Sequence, residues 1–411
     1  MTVSAPAAVP APPHPSAADE RGWRQRLLAR LSRRTSSGRF IPEIDGLRFV
    51  SIALVVLYHM AGYVAGRPGV STGGPLFGVA IHGHYGVPIF FVISGFVLGL
   101  PFASQHLSAG RQVRLRPYFL RRLTRLEPPY VLAMLALFPA VAVMTGTPPS
   151  QLLPHLLASL AYVHNLVYAQ PSAINSVAWS LEIEVQFYVL APLLAAAAFR
   201  WRSAPLRRWG LLAVSAAAIV AQLTLLEGTR FVTLASFIQF FLLGFLLADL
   251  YTTDWTRPPT RSGAWDALWL ACWPAMWLAW EAPPAVTAFA FPAVVLAVFA
   301  ASLRGRLSRA ALSNPWVVTI GGMCYTIYLL HYPLISLLGR GVAALGAPAN
   351  TTLSLLLHCA LVIPPLLVVC AVYFALVERP CMDPAWPTHL RTWLAARFRS
   401  TRTMVEPATP A

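Results

Sequence analysis

Ten apolar runs, each close to the length a helix needs to cross a bilayer, divide this chain, and its arginines fall almost wholly into alternate gaps between them. The runs lie at about 46–66, 84–104, 127–146, 177–199, 209–227, 231–250, 265–282, 285–303, 317–338 and 353–376. A transmembrane helix needs roughly 20 predominantly apolar residues. Inside hydrocarbon, only helices or closed barrels satisfy every backbone polar group. The pattern predicts an all-α fold, a polytopic transmembrane helical bundle of about ten spans. Composition agrees: 11% charged residues cannot coat a water-soluble globule, whose charged share is about 25%.

The charge pattern orients the bundle. The net charge is +16, and all 31 basic residues are arginine. Such a balance would suit a nucleic-acid partner if it were clustered on a soluble face. In a membrane chain it marks the cytoplasmic segments instead. With ten spans, 27 arginines fall inside and only Arg67, Arg230 and Arg340 outside, with Arg48 at the inner mouth of the first span. Both termini are then cytoplasmic, and no nucleic acid is expected as a partner. Counting 151–168 (QLLPHLLASLAYVHNLVY) as a crossing would move Arg200, Arg202, Arg207 and Arg208 to the wrong side, so that segment is read as interfacial or re-entrant. Residues 1–39 are expected to be a basic cytoplasmic segment with a disordered Pro/Ala tract rather than a signal peptide. Residues 40–380 are then the membrane domain, and 381–411 a basic cytoplasmic tail. The five cysteines show neither a disulfide framework nor metal-ligand spacing, and no metal site is expected.

Ionisable residues at membrane depth are costly and point to function. Here they are His59, Glu182, Glu184, His331 and His358. His59, Glu184 and His331 each lie seven residues from the outer end of their spans, a common depth of roughly 10 Å. Arg48 precedes His59 by eleven residues, close to three turns, so the two share one face of the first span. An anion docked at Arg48 would extend toward His59. Glu182 and Glu184 face opposite sides of their helix, which leaves one of them for structural work. For Asp45, before Gly46, a plain helix N-cap is one reading. Arg122 and Arg125 form a fork just inside the membrane, suited to phosphate or simply marking the cytoplasmic side. A histidine in a span also serves to hydrogen-bond a neighbouring helix.

Five stretches resemble the acyltransferase 3 family of bacterial membrane acyltransferases. FIPEIDGLRFVSIALVVLYHMAGY is similar to its opening helix, with Asp45, Gly46, Arg48 and His59 in the pattern. HYGVPIFFVISGFVLG is similar to the second, through Phe91, Ser94, Gly95 and Phe96. RRLTRLEPPY carries the Arg-x-x-Arg motif at Arg122 and Arg125. NSVAWSLEIEVQFYVLAPLL resembles the fourth span, with Trp179, Ser180, Glu184, Gln186, Phe187 and Tyr188, although Val185 stands where many members have a second glutamate. GGMCYTIYLLHYPLI resembles the ninth, with Tyr325, Tyr328 and His331.

The resemblance implies a ten-helix enzyme of the bacterial cytoplasmic membrane. It implies cytoplasmic acyl-CoA, chiefly acetyl-CoA, as co-substrate with no bound cofactor. The acceptor would be a hydroxyl of a saccharide, a glycolipid or another small or lipid-linked molecule, met among membrane lipid. On this reading His59 is the general base or forms an acyl-histidine, and Glu184 orients it. Arg48, Arg122 and Arg125 hold the CoA phosphates. Trp179, Tyr325, His331 and Ser94 line the acceptor cavity, Trp179 serving there or as an interface anchor. The rival reading is a transporter or flippase without covalent chemistry, against which the sequence shows no internal repeat and no paired broken helices.

Overall fold

A computed structural model describes residues 17–34, 40–70, 72–226, 232–257, 259, 262–383 and 385–392. These residues form helices joined by turns, and no strand occurs among them. Eight helices are long and apolar enough to cross a membrane: Pro42–Ala65, Pro75–Leu107, Leu115–Thr145, Ser176–Phe199, Ala204–Leu225, Pro284–Arg304, Cys324–Ala344 and Thr351–Cys381. The other two expected spans are also helical. Expected span 231–250 becomes a 16-residue helix, Ile238–Thr253, and its first residue lies outside the described ones. Expected span 265–282 becomes the Trp-rich helix Ser262–Glu281.

Position in the bundle explains the short helix. Every residue from Gln239 to Asp249 is buried, and a helix apolar all round belongs in a core. It lies against Gly86–Leu107 so closely that a Cβ on Gly95 would strike the Phe241 carbonyl. A Cβ on Gly244 would strike the Val92 carbonyl in the same way. Small residues at such a crossing let the backbones meet, the packing that replaces the hydrophobic drive within lipid.

Three helices carry the chemistry and take labels here: α1 is Pro42–Ala65, α2 is Trp179–Phe199 and α3 is Cys324–Ala344. The expected ninth span at 317–338 is interrupted. A short helix, Pro315–Gly322, ends at Met323, and α3 starts afresh at Cys324 and runs six residues past the expected end. Gly321 sits against the Asp45 carbonyl, where any side chain would collide, so the break seats the short helix on the start of α1. Segment 151–168 folds as helices Pro149–Leu160 and His164–Tyr168. The longer one has 12 residues, about 18 Å, too short to cross alone.

The chain ends depart from expectation. Of the expected disordered tract, residues 1–16 lie outside the described residues, whereas 17–20 open a helix, Ala17–Leu31. The strap after it is tied down: Arg379 donates to the Ser32 carbonyl at 3.2 Å, and Arg34 pairs with Asp383 at 3.1 Å. Trp386 donates its indole N–H to the Thr124 carbonyl at 2.9 Å. The boundaries expected at 39/40 and 380/381 are therefore bridged by contacts. Residues 393–411 of the expected tail lie outside the described residues.

Candidate active site

Two histidines from opposite ends of the sequence meet inside the bundle. His331 Nε2 lies 3.1 Å from His59 Nδ1, joining α3 to α1. Their protons follow from what surrounds them. His331 Nδ1 faces two backbone carbonyls, Tyr328 at 2.8 Å and Ile327 at 3.1 Å. A carbonyl only accepts, so His331 Nδ1 carries the proton and its Nε2 keeps a lone pair. His59 Nδ1 then faces two acceptors, that lone pair and the Val55 carbonyl at 3.0 Å. It must be N–H, and the lone pair of His59 is left on Nε2. His331 is fully buried and His59 only partly, with Tyr58 and Tyr332 edge-on to its ring at 5.0 and 5.2 Å.

Glu184 stands elsewhere. It accepts from Ser94 on Gly86–Leu107. Among the described residues no hydrogen bond joins it to His59. The ring that meets His59 is that of His331, which α3 brings against α1. Glu182, two residues away on the opposite face of α2, accepts from the Asn165 backbone N–H at 2.8 Å and holds segment 151–168 in place. Trp179 uses its carbonyl for the Asn165 side chain at 3.1 Å, and its ring lies 5.6 Å from Phe237.

The arginines gather at the far end of α1. Asp45, fully buried, pairs with Arg48 and with Arg33, the latter at 2.7 Å. Asp45 is no cap: the helix begins at Pro42, and Asp45 sits in its first turn. Burial, then the nearby Arg48 and Arg125 guanidiniums, pull Arg33 down to about 10. Arg125 has a buried Nε without a hydrogen-bond partner, and so does Glu378 Oε1. Glu378 closes the π-helical turn Phe374–Glu378 and accepts from the Thr326 N–H at 3.1 Å and hydroxyl at 2.5 Å. Arg122 turns aside: it donates to the Tyr118 carbonyl at 2.9 Å and lies 3.7 Å over that ring. The arrangement is a buried cationic end with one guanidinium incompletely engaged, suited to a polyanion.

Tyr325 belongs to this end rather than to the histidine cavity. Its hydroxyl donates to the Leu126 carbonyl at 2.9 Å, one residue past Arg125. The break at Met323 is the reason, since it puts Tyr325 in the first turn of α3, six residues before His331. Arg33 and Glu378 escaped the sequence reading. Arg33 is one of many arginines there, and Glu378 falls just beyond the last expected span. Among the described residues no cluster of histidine, cysteine and carboxylate side chains suits a metal ion.

An acyltransferase domain model matches residues 41–376. The peptidoglycan O-acetyltransferase OatA of Listeria monocytogenes is 28% identical over 184 residues, which cover 41% of this chain and 26% of that protein. The O-acetyltransferase OatA of Staphylococcus aureus is 28% identical over 167 residues, covering 38% and 25% respectively. The matched stretch thus spans about a quarter of the length of these relatives. No solved structure matches the chain.

Proposed function

The chain belongs to the acyltransferase family whose domain model matches residues 41–376, and from that premise we propose that it transfers an acyl group, acetyl in the first instance, from cytoplasmic acyl-CoA to a hydroxyl of a saccharide or other small or lipid-linked acceptor. The observation that carries the reading is the free Nε2 of His59, left unprotonated because His331 and Val55 claim the proton on Nδ1. A lone pair on a partly accessible imidazole is what a general base needs.

In the proposed reaction, His59 Nε2 takes the acceptor's hydroxyl proton as the oxygen attacks the thioester carbonyl. The C–S bond breaks, the acyl group stays on the acceptor oxygen, and the CoA thiolate takes the proton back from His59. His331 acts through His59 and is a positioning residue: its lone pair holds the tautomer and steadies the transient imidazolium. Arg48 and Arg125, with Arg33 beside them, hold the CoA phosphates. The Arg48–His59 separation of eleven residues, roughly 16 Å along α1, is the reach the donor must make from its anchor. Ser94 fixes Glu184, which serves as a charge or hydrogen-bond partner to the substrates.

The test uses membrane vesicles carrying the full chain and acetyl-CoA radiolabelled on the acetyl group. Label should pass to a hydroxylamine-sensitive ester in the acceptor fraction with release of free CoA, and should do neither with His59→Ala. CoA release also separates transfer from the rival reading of a transporter or flippase. Ester formation undiminished in His59→Ala would overturn the assignment of the base.

A further inference from the structure

The end of the bundle remote from the arginine cluster holds a cavity of about 570 Å³, lined by Gly62, Tyr63, Gly66 and Arg67 from the α1 end and Arg340 from α3. Its size falls in the range of small-molecule sites, roughly 300–1,000 Å³. Arg67 follows Arg48 by 19 residues, about 28 Å along the helix direction, so this cavity is distinct from the buried cationic end. Of the three arginines expected on the outer side, two lie in this one cavity, and Arg230 is outside the described residues.

Neither guanidinium has an acidic partner among the described residues. Arg67 is fixed instead by neutral acceptors, the Ser354 hydroxyl at 2.8 Å and the Ala347 carbonyl at 3.1 Å. Such anchors immobilise the side chain and leave its charge uncompensated, and Arg340 is exposed. The facing glycine adds room, since nothing lies within 4 Å of where a Cβ of Gly62 would be. The same two helices that join His59 to His331 thus build the cavity, its two arginines more than two turns further out. His59 precedes Arg67 by eight residues, roughly 12 Å.

We infer that this cavity binds an anionic group, carboxylate or phosphate, of an acceptor or of a membrane-lipid headgroup, roughly 12 Å from His59 along the helix direction. Two guanidiniums at one spot recognise such groups by charge-assisted hydrogen bonds. The assignment of the anion to the acceptor rests on His59 being the transfer site; the affinity of the cavity for anions does not. The anion has two possible sources, a soluble acceptor or a membrane-lipid headgroup, and both present the same chemistry to the arginines.

Phenylglyoxal labelling of the full chain in neutral detergent, read arginine by arginine by mass spectrometry, tests the site without any turnover. Inorganic pyrophosphate at about ten times its Kd should slow labelling of Arg67 and Arg340 about tenfold. Protection by phosphatidylglycerol but not by pyrophosphate or phosphatidylcholine also supports the site, and names a lipid headgroup as the source. Arg340→Gln, at an exposed position that should fold normally, should abolish most of the protection at Arg67. Unchanged labelling of both arginines with every anion overturns the inference. Protection in a chain that shows no acyl transfer leaves this site standing and removes the proposed activity instead.

Discussion

His331 donates from Nδ1 to two carbonyls of its own helix, and that arrangement, with the Val55 carbonyl, decides which nitrogen of His59 is free. His59→Ala is expected to lower acyl transfer by about 10²-fold or more, the range for losing a positioned base, while acyl-CoA still binds. A second substitution reads the positioning role. His331→Phe removes the acceptor facing His59 and should lower kcat about tenfold with donor Kd unchanged, whereas His331→Gln keeps a polar end and should retain more activity. Equal loss in both variants, with donor affinity also lost, would make His331 merely structural. The two motif arginines should also part company. Arg125→Ala should weaken acyl-CoA binding by about 1.5–3 kcal/mol, the weight of hydrogen bonds to a charged group. Arg122→Ala should act more through stability, because Arg122 is occupied by the Tyr118 ring and carbonyl. Isothermal titration and melting midpoints in detergent distinguish the two. At this scale the sequence was informative about residue types and weak about partners. His59 and Arg48 share a helix, so their relation is legible from spacing, while the His59–His331 pair depends on where α3 begins and ends. Glu184 is legible as an intramembrane carboxylate, but its partner Ser94 is a matter of tertiary packing.

A helix start was readable within a residue where a proline abuts an apolar run, as at Pro284, but the first span begins at Pro42, four residues before the expected 46. The break at Met323 was not, because Gly321 has ordinary neighbours in sequence and only the approach of Asp45 explains it. The crossing of Gly86–Leu107 with Ile238–Thr253 offers a direct check of this packing. Gly244→Leu should lower stability by about 1–3 kcal/mol or prevent insertion outright, the cost of overpacking a filled core. Gly210→Leu, at an open position, should leave the melting midpoint within a degree or two. Segment 151–168 carries its own pH response. His164 donates Nδ1–H to the Gln170 carbonyl at 3.0 Å and turns Nε2 toward His155 Nδ1 at 2.9 Å. Burial first, then the His155 neighbour, holds His164 below the ordinary histidine value. Its neutral form is favoured in the fold, so the unfolded segment binds more protons, and stability is lost as pH falls through about 6.5. Protection factors for hydrogen exchange in 149–172, taken against the intrinsic rate at each pH, should therefore fall between about pH 7 and pH 5, and stay flat in His164→Gln.

For the whole molecule, arginine placement remains the strongest directional signal. Reporter fusions after residues 25, 205 and 400 should read cytoplasmic, and one near residue 75 external, given 27 arginines against three on the two sides. A fusion at 205 that reads external would break the ten-span arrangement. The fold class was legible because lipid leaves the backbone so few choices. What the chain ends do was not, since the strap at Arg33 and the return of Trp386 to Thr124 rest on single contacts with no sequence period. The histidine pair has a bearing on how such a chain is made. His59 enters the membrane early in synthesis, and its partner is 272 residues away. Until that partner is translated and threaded into place, the Val55 carbonyl alone holds the His59 proton on Nδ1. A chain stalled on the ribosome, or clipped before α3, would lack the second hold, and the pair is whole only in a finished copy.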